Sequence, residues 1–172
     1  PVEREILSSG AENILLAWRF DGAASHQNDT LDIISDIFYN GQAGMLDLDL
    51  NLSQEVLGSY CFTFNNCDYS VFFMQGVPLP GQSLESIRDL LLAEMDKLRK
   101  GDFSEDLIKA IVTEEKLNLQ RALESNDQRA TMFVDAYTND VPWADQVGRI
   151  DRLGRITKQD VADFANRHFS DN

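Results

Sequence analysis

The chain has 172 residues, with 15 basic and 29 acidic side chains and a formal net charge of −14. This length allows one domain with a substantial core, and the charge argues against nucleic acid as a partner, because phosphates require a basic surface. The 43% hydrophobic and 26% charged content is ordinary for a soluble protein, and no apolar run approaches the ~18 residues of a membrane span. The acidic balance indicates a solvated surface, or a weak preference for cationic partners.

The first residues, Pro1 to Leu7, are compatible with an edge strand or a linker. The chain begins abruptly and has no signal peptide pattern, which suggests a piece excised from a longer multi-domain protein. We expect one α+β domain over 1–172. Strands and the first helices would occupy 1–80, and a helical hairpin and C-terminal helices 83–169. The sequence is compatible with a periplasmic or a cytoplasmic location.

Two stretches near the start predict regular structure. Ile14 to Phe20 is near-continuously apolar and of strand length, which predicts a strand covered on both faces. Arg19 would then lie at an exposed edge, or extend its charged end to solvent. The next stretch predicts a helix that is capped by Asn28 or Asp29 and runs to Tyr39. Its buried side would be formed by Leu31, Ile34 and Phe38.

The segment Gly44 to Leu52 is ambiguous. Its strict alternation of leucine with Asp or Asn predicts a strand. Asp and Asn are nevertheless poor strand residues, and Met45, Leu48 and Leu52 also fit one helical face.

The clearest hairpin is formed by Val56 to Phe64 and Tyr69 to Val77, where apolar and polar residues alternate around an Asn- and Asp-rich turn. Cys61 would pair opposite Phe72, while Cys67 would lie in the loop. A disulfide between the two cysteines is therefore unfavourable geometrically. Two free thiols that serve as packing residues are the better interpretation.

The element that the sequence predicts most clearly is a helical hairpin over Ser83 to Leu123. Gly101 stands where a left-handed cap belongs after the first helix. Ser104 caps the second, with Phe103 and Ile108 in the positions of a hydrophobic staple. The apolar stripe of the first helix recurs at three- and four-residue steps and consists of Leu84, Ile87, Leu91, Met95 and Leu98.

Three more helices are predicted towards the end of the chain. One begins at Asn126 or Asp127, and another at Pro142. The last begins after Thr157, whose capping partner is Asp160. Strands lie early in the chain and helices late. The predicted fold is therefore α+β, a largely antiparallel sheet with helices packed on one face.

The sequence offers no catalytic or metal-ligating constellation. Its two histidines, His26 and His168, have no ligand-type partner at helical spacing. Neither the zinc motif His-Glu-x-x-His nor its inverted form His-x-x-Glu-His occurs, and phosphate loops and nucleophile elbows are missing as well. We predict no catalytic residue, no metal ligand and no cofactor in this chain.

Together the segments resemble one domain of an insulinase-like (pitrilysin) zinc metallopeptidase. The resemblance extends from about Ile14 to Phe169. The most telling motifs are the helix join Lys-Gly-x-Phe-Ser-Glu and the closing Ile-Thr-x-x-Asp-Val-x-x-Phe-Ala. It implies the fold of this family's metallohydrolase domains. Because the zinc motif is missing, it implies a non-catalytic companion domain, with zinc expected in the catalytic domain of the full-length protein.

The resemblance also implies a site residue and partners. Leu57-Gly58-Ser59-Tyr60 resembles a family segment whose tyrosine helps to orient substrate, although residues 51–56 lack the arginine that precedes it in related domains. Tyr60 is therefore either a substrate-binding residue or a half-buried hairpin tyrosine. Leu46 to Ser53 would be helical. The partners would be a peptide substrate and the catalytic domain of the same polypeptide.

Two alternatives remain open. The family includes members without zinc chemistry that serve as structural or assembly subunits, so the chain could belong to such a subunit. An unrelated ferredoxin-like binding module is the third hypothesis. An intact or degenerate His-x-x-Glu-His upstream of Pro1 would separate the first two.

Overall fold

A computed structural model describes residues 2–7 and 9–169, and within these ranges three antiparallel strands form one sheet. The strands are β1 (Ile14–Asp21), β2 (Gly58–Asn65) and β3 (Tyr69–Val77), in the order β1-β3-β2. Phe72 of β3 lies opposite Trp18 on one side and Thr63 on the other. The central strand is therefore the C-terminal arm of the predicted hairpin.

The helices account for most of the rest of the described chain, and no helix there is long and apolar enough to cross a membrane. They are α1 (Gln27–Phe38), a π-helical segment (Asp47–Leu52), α2 (Leu84–Lys100), α3 (Glu105–Glu124), α4 (Asn126–Thr138), α5 (Trp143–Leu153) and α6 (Lys158–His168). This arrangement confirms the predicted α+β class. Residues 2–7 form no strand, so the edge-strand interpretation of the first residues is wrong for them; Pro1 lies outside the described residues.

Aromatic packing joins α6 to the sheet. The Phe169 ring lies 5.1 Å from the Phe72 ring and 5.3 Å from the Trp18 ring, measured between centroids. Phe72 and Phe169 are completely buried, and burying side chains of this size is worth several kcal/mol in total. The end of the chain thus closes the core against β1 and β3.

The prediction that β1 is covered on both faces is wrong. Leu15 is 49% exposed and Arg19 is also exposed, whereas Trp18 is half-buried and Phe20 is buried. β1 is an edge strand of the described sheet, with one face against the helices. A run of apolar residues cannot reveal this. A strand that is covered on both faces and a strand with one exposed apolar face have the same apolar sequence pattern.

The ambiguous segment is helical, as the family resemblance implied, and the alternation was misleading. Asp49 pairs with Lys97 of α2 at 2.7 Å, and the Asp47 carboxylate accepts hydrogen bonds from the amides of residues 40, 41 and 44. The buried side is formed by Met45, Leu46 and Leu50, while the expected Leu48 and Leu52 are exposed. The polar residues alternate because each binds a different neighbour.

The helical hairpin is confirmed. Gly101 adopts φ 69°, its amide bonds back to the end of α2, and the Ser104 hydroxyl accepts from the Asp106 amide. Phe103 packs against the core and Ile108 is buried, as a staple requires. The Thr157 and Asp160 capping box of α6 is also present.

Other helix starts differ from the prediction by one or two residues. α1 begins at Gln27, so Asn28 and Asp29 lie in its first turn and are buried instead of capping it. Ser125 caps α4 through the Gln128 amide. The apolar residues from which α4 is predicted are all exposed, and in that helix only Ala136 is buried; they are Ala130, Phe133, Val134 and Tyr137.

A charged cluster joins α1, α3 and α5. The Arg149 guanidinium donates to Asp32 of α1 at 3.0 Å and to Glu115 of α3 at 2.8 Å. Arg152 pairs with buried Asp29 at 2.5 Å. Asp36 lies one turn beyond Asp32, among carboxylates. Its pKa is raised to about 7, mainly by burial and then by the negative charges of Glu115, Asp32 and Glu114, while Arg149 acts in the opposite direction.

The α2–α3 turn should contribute measurably to the stability of the fold. Ser104→Ala should lower the free energy of unfolding by ~1 kcal/mol through loss of the cap, and Phe103→Ala should lower it more because the ring packs against the core. Chemical denaturation midpoints measure both. Unchanged midpoints in the two variants would contradict the role assigned to this turn.

Asp36 should make stability decrease with rising pH. The unfolded carboxyl ionises near 3.8 and the folded one near 7, so the folded state binds more protons between these values and loses stability as pH rises through them. Asp36→Asn should therefore raise the free energy of unfolding above pH 7 by about 1–2 kcal/mol, after allowance for solvent screening. Denaturation series across pH test this, with Asp151→Asn at an exposed α5 position as control. An equal pH slope in wild type and Asp36→Asn would contradict it.

Candidate functional site

The sheet face turned away from the helices is apolar and aromatic, and we call it the open face. Tyr60 lies there, as do residues of all three strands. Phe64 is 59% exposed, Tyr69 42% and Tyr60 41%, which is unusual for rings on neighbouring strands. The side chains of this face include Leu15, Ala17, Arg19, Tyr60, Phe62, Phe64, Tyr69, Val71 and Phe73.

Tyr60 is held by two neighbours. Its ring makes an edge-on contact with Tyr39, with 5.5 Å between centroids. Its hydroxyl would lie 2.6 Å from a Cβ atom at position 58, so the ring folds over Gly58 and occupies the space that a side chain would need. The Leu-Gly-Ser-Tyr segment therefore positions a half-exposed tyrosine. Its other side remains accessible.

Further contacts order the open face. Phe62 and Phe73 stack with 5.1 Å between ring centroids, and the Arg19 guanidinium lies 4.6 Å from the centre of the Tyr69 ring. These groups can contact apolar side chains and one acidic group, but they include no nucleophile and no acid–base pair. Of the residues on this face, the sequence pointed to Tyr60 alone. The alternation of Tyr60, Phe62 and Phe64 was the available signal for the rest.

At the outer edge of β2, the backbone groups of one residue, Ser59, are already hydrogen-bonded and cannot pair with another strand. The Asn51 amide oxygen accepts from the Ser59 backbone N–H at 2.7 Å, and its Nδ2 donates to the Ser59 carbonyl at 2.9 Å. By alternation, the N–H and C=O groups of Cys61 and Thr63 also point away from β3. No described strand pairs with this edge, so the part beyond Ser59 can accept another strand.

The cysteines are free, as predicted, but only one is a packing residue. Cys61 is buried opposite Met74 instead of Phe72, and its Sγ donates to the Ser35 carbonyl at 3.2 Å. Burial raises the pKa of the Cys61 thiol far above its usual value, which makes it unreactive. Cys67 is exposed, contrary to expectation, and donates to Asp140 at 3.3 Å.

The histidines lie apart. His26 is 3.5 Å from the Asp145 carboxylate, while His168 packs against the Phe164 ring. Across residues 2–7 and 9–169, no three His, Cys, Asp or Glu side chains are placed to hold a metal ion. In the charged cluster, the Arg149 guanidinium pairs with the carboxylates of Asp32 and Glu115. The described residues therefore do not fit zinc.

Solved structures share this fold. A protease from Helicobacter pylori superposes with a TM-score of 0.85 at 19% identity, covering 92% of this chain and 38% of that one. The inactive peptidase domain of a Bordetella parapertussis protein described as a zinc protease gives 0.79 at 18% identity, covering 96% and 91%. A chain of complex III from Candida albicans gives 0.61 at 12% identity, covering 90% and 39%.

This chain thus spans 38% of the Helicobacter protein, whereas it matches nearly all of the separate Bordetella domain. No curated protein matches its sequence. The family model described as the peptidase M16 inactive domain matches residues 3–114, well over half of the chain. Because this match covers more than half of the chain, the chain belongs to the family of peptidase M16 inactive domains.

Proposed function

We propose that this chain is the non-catalytic domain of an insulinase-like zinc metallopeptidase, in which it lines the chamber and contacts the peptide substrate. It would form one α+β domain of a longer polypeptide, whose catalytic domain binds zinc and hydrolyses the peptide. The open face is the observation that carries this proposal. Its exposed rings offer apolar contacts that do not depend on one particular substrate side chain.

The free part of the β2 edge supports the same proposal. An extended peptide that pairs beyond Ser59 would satisfy its backbone groups without any reading of its sequence. Asn51 would set where such pairing begins, because it occupies the edge at Ser59. Tyr60, next to that point, would contact the bound peptide from the open face.

A structural subunit without peptidase activity is the second candidate. The similarity to a chain of complex III from Candida albicans favours it, since that protein is part of a multi-subunit assembly. An intact His-x-x-Glu-His in the catalytic domain of the full-length protein supports the peptidase. A degenerate motif would support the subunit.

Tyr60→Ala in the full-length enzyme should lower kcat/KM about tenfold, equivalent to ~1.4 kcal/mol, while Tyr60→Phe should be mild. Gly58→Ala should also lower it, because the added methyl group displaces the Tyr60 ring. Peptide hydrolysis assays measure these effects. Tyr137→Ala, at an exposed tyrosine of α4, is the matched control and should leave turnover unchanged.

The outcome that would refute the site is specific. If Tyr60→Ala leaves peptide turnover intact but lowers the melting temperature, Tyr60 is a packing residue of the hairpin.

The chain by itself should bind no zinc at a specific site and cleave no peptide. The reason is that the described residues bring no suitable ligand set together. Metal analysis of tag-free protein after dialysis checks the first point, and peptide assays with and without a chelator check the second. Stoichiometric zinc together with chelator-sensitive hydrolysis would disprove the prediction.

A further inference from the structure

A groove on the helical layer, formed by no residue of the sheet, runs between α3 and the junction of α5 and α6. We call it the α3–α6 groove. It encloses ≈ 380 Å³. Its α3 side consists of Ile108, Lys109, Val112 and Lys116, and Arg155, Ile156 and Lys158 face them from the junction. It is therefore separate from the open face on which the proposed function depends.

The charge of this groove is opposite to that of the chain. Of 15 basic residues, four line it, while Glu105 is the sole acidic residue among the described lining residues. In a chain with 29 acidic side chains, this local excess of positive charge is not what an even distribution would give. The positive end of α6 adds to the same field.

Three of the four cations have no acidic partner in the described structure. The side chains of Lys116 and Arg155 form no ion pair or hydrogen bond with a described residue. Lys158 lies over the Phe103 ring at 5.2 Å. Lys109 alone is neutralised, by Asp106 at 3.1 Å. The positive charge of the groove is therefore available to a ligand.

The floor of the groove is apolar. Ile108 and Val112 lie at its bottom and are already buried by the protein, so the apolar lining residue that a ligand can cover is Ile156, which is partly exposed. Lys109 and Lys116 are seven residues apart, about 10 Å along the helix, which an extended peptide covers in about three residues. A phosphate ion could pair with the rim but would leave Ile156 uncovered. Nucleic acid would meet the acidic surface that surrounds the groove.

We propose that the α3–α6 groove binds a peptide segment that carries both acidic and aliphatic side chains. Its carboxylates pair with Lys116, Arg155 and Lys158, and an aliphatic side chain covers Ile156 at the floor. The segment belongs to a protein partner, and its binding does not require the open face or the peptidase activity of the full-length protein.

Fluorescence anisotropy with a labelled peptide of alternating glutamate and leucine tests this. The peptide should bind the chain, and the Kd should rise with salt because the rim is exposed. The double variant Lys116→Glu/Arg155→Glu should weaken binding at least tenfold. Arg129→Glu on α4, a single charge reversal elsewhere on the surface, should leave the Kd unchanged. Circular dichroism verifies that each variant is folded.

Peptide variants separate the two contributions. Replacing glutamate by glutamine should weaken binding through the rim, and replacing leucine by serine should weaken it through the floor. Equal binding of the serine peptide, or displacement by tripolyphosphate as efficient as by unlabelled peptide, would show a polyanion site instead and overturn the proposal. No difference between Lys116→Glu/Arg155→Glu and wild type would overturn it as well.

Discussion

One-sided coverage of the sheet is the constraint on which the rest of the structure depends. Phe72 of the central strand lies under the helices, and Phe169 at the end of α6 closes the core against it. The strands alternate side chains between their two faces, so the same geometry that buries Phe72 directs Phe73 outward. In an antiparallel sheet the outward face is normally polar. Here it is aromatic, and an exposed aromatic face usually serves in binding.

The π-helical segment contacts the edge of β2 beside this face. Its polar residues connect it to α2 through Lys97 and to the β2 edge through Asn51. This leaves only part of the edge open. In the proposed function, the peptide would pair with the open part of this edge and contact Tyr60 next to it. The tyrosine depends on Gly58 because the ring occupies the space of the missing side chain.

Charge is distributed unevenly over the helical layer. Between α1, α3 and α5, carboxylates gather around Arg149, which compensates only in part for the charges around Asp36. On another side of α3, Lys116 and Arg155 line the α3–α6 groove, where Glu105 is the sole acidic residue among the described lining residues. Repulsion within each set opposes folding, and the apolar core must compensate for it. Such unfavourable charge arrangements are easier to explain if the basic groove serves binding and the carboxylates around Asp36 make stability depend on pH.

The sequence by itself determined the elements whose signals are local. Ser104, Gly101 and Thr157 define helix ends through bonds to their own neighbours, so the helical hairpin and the last helix were predicted almost to the residue. Only the tertiary structure decided which surfaces are covered. The apolar run of β1 and the apolar residues of α4 look the same whether another element packs on them or not. One face of β1 proved exposed, and so did the apolar residues of α4. The open face and the α3–α6 groove likewise arise from residues far apart in the chain, and no local pattern records which distant side chains packing will bring together.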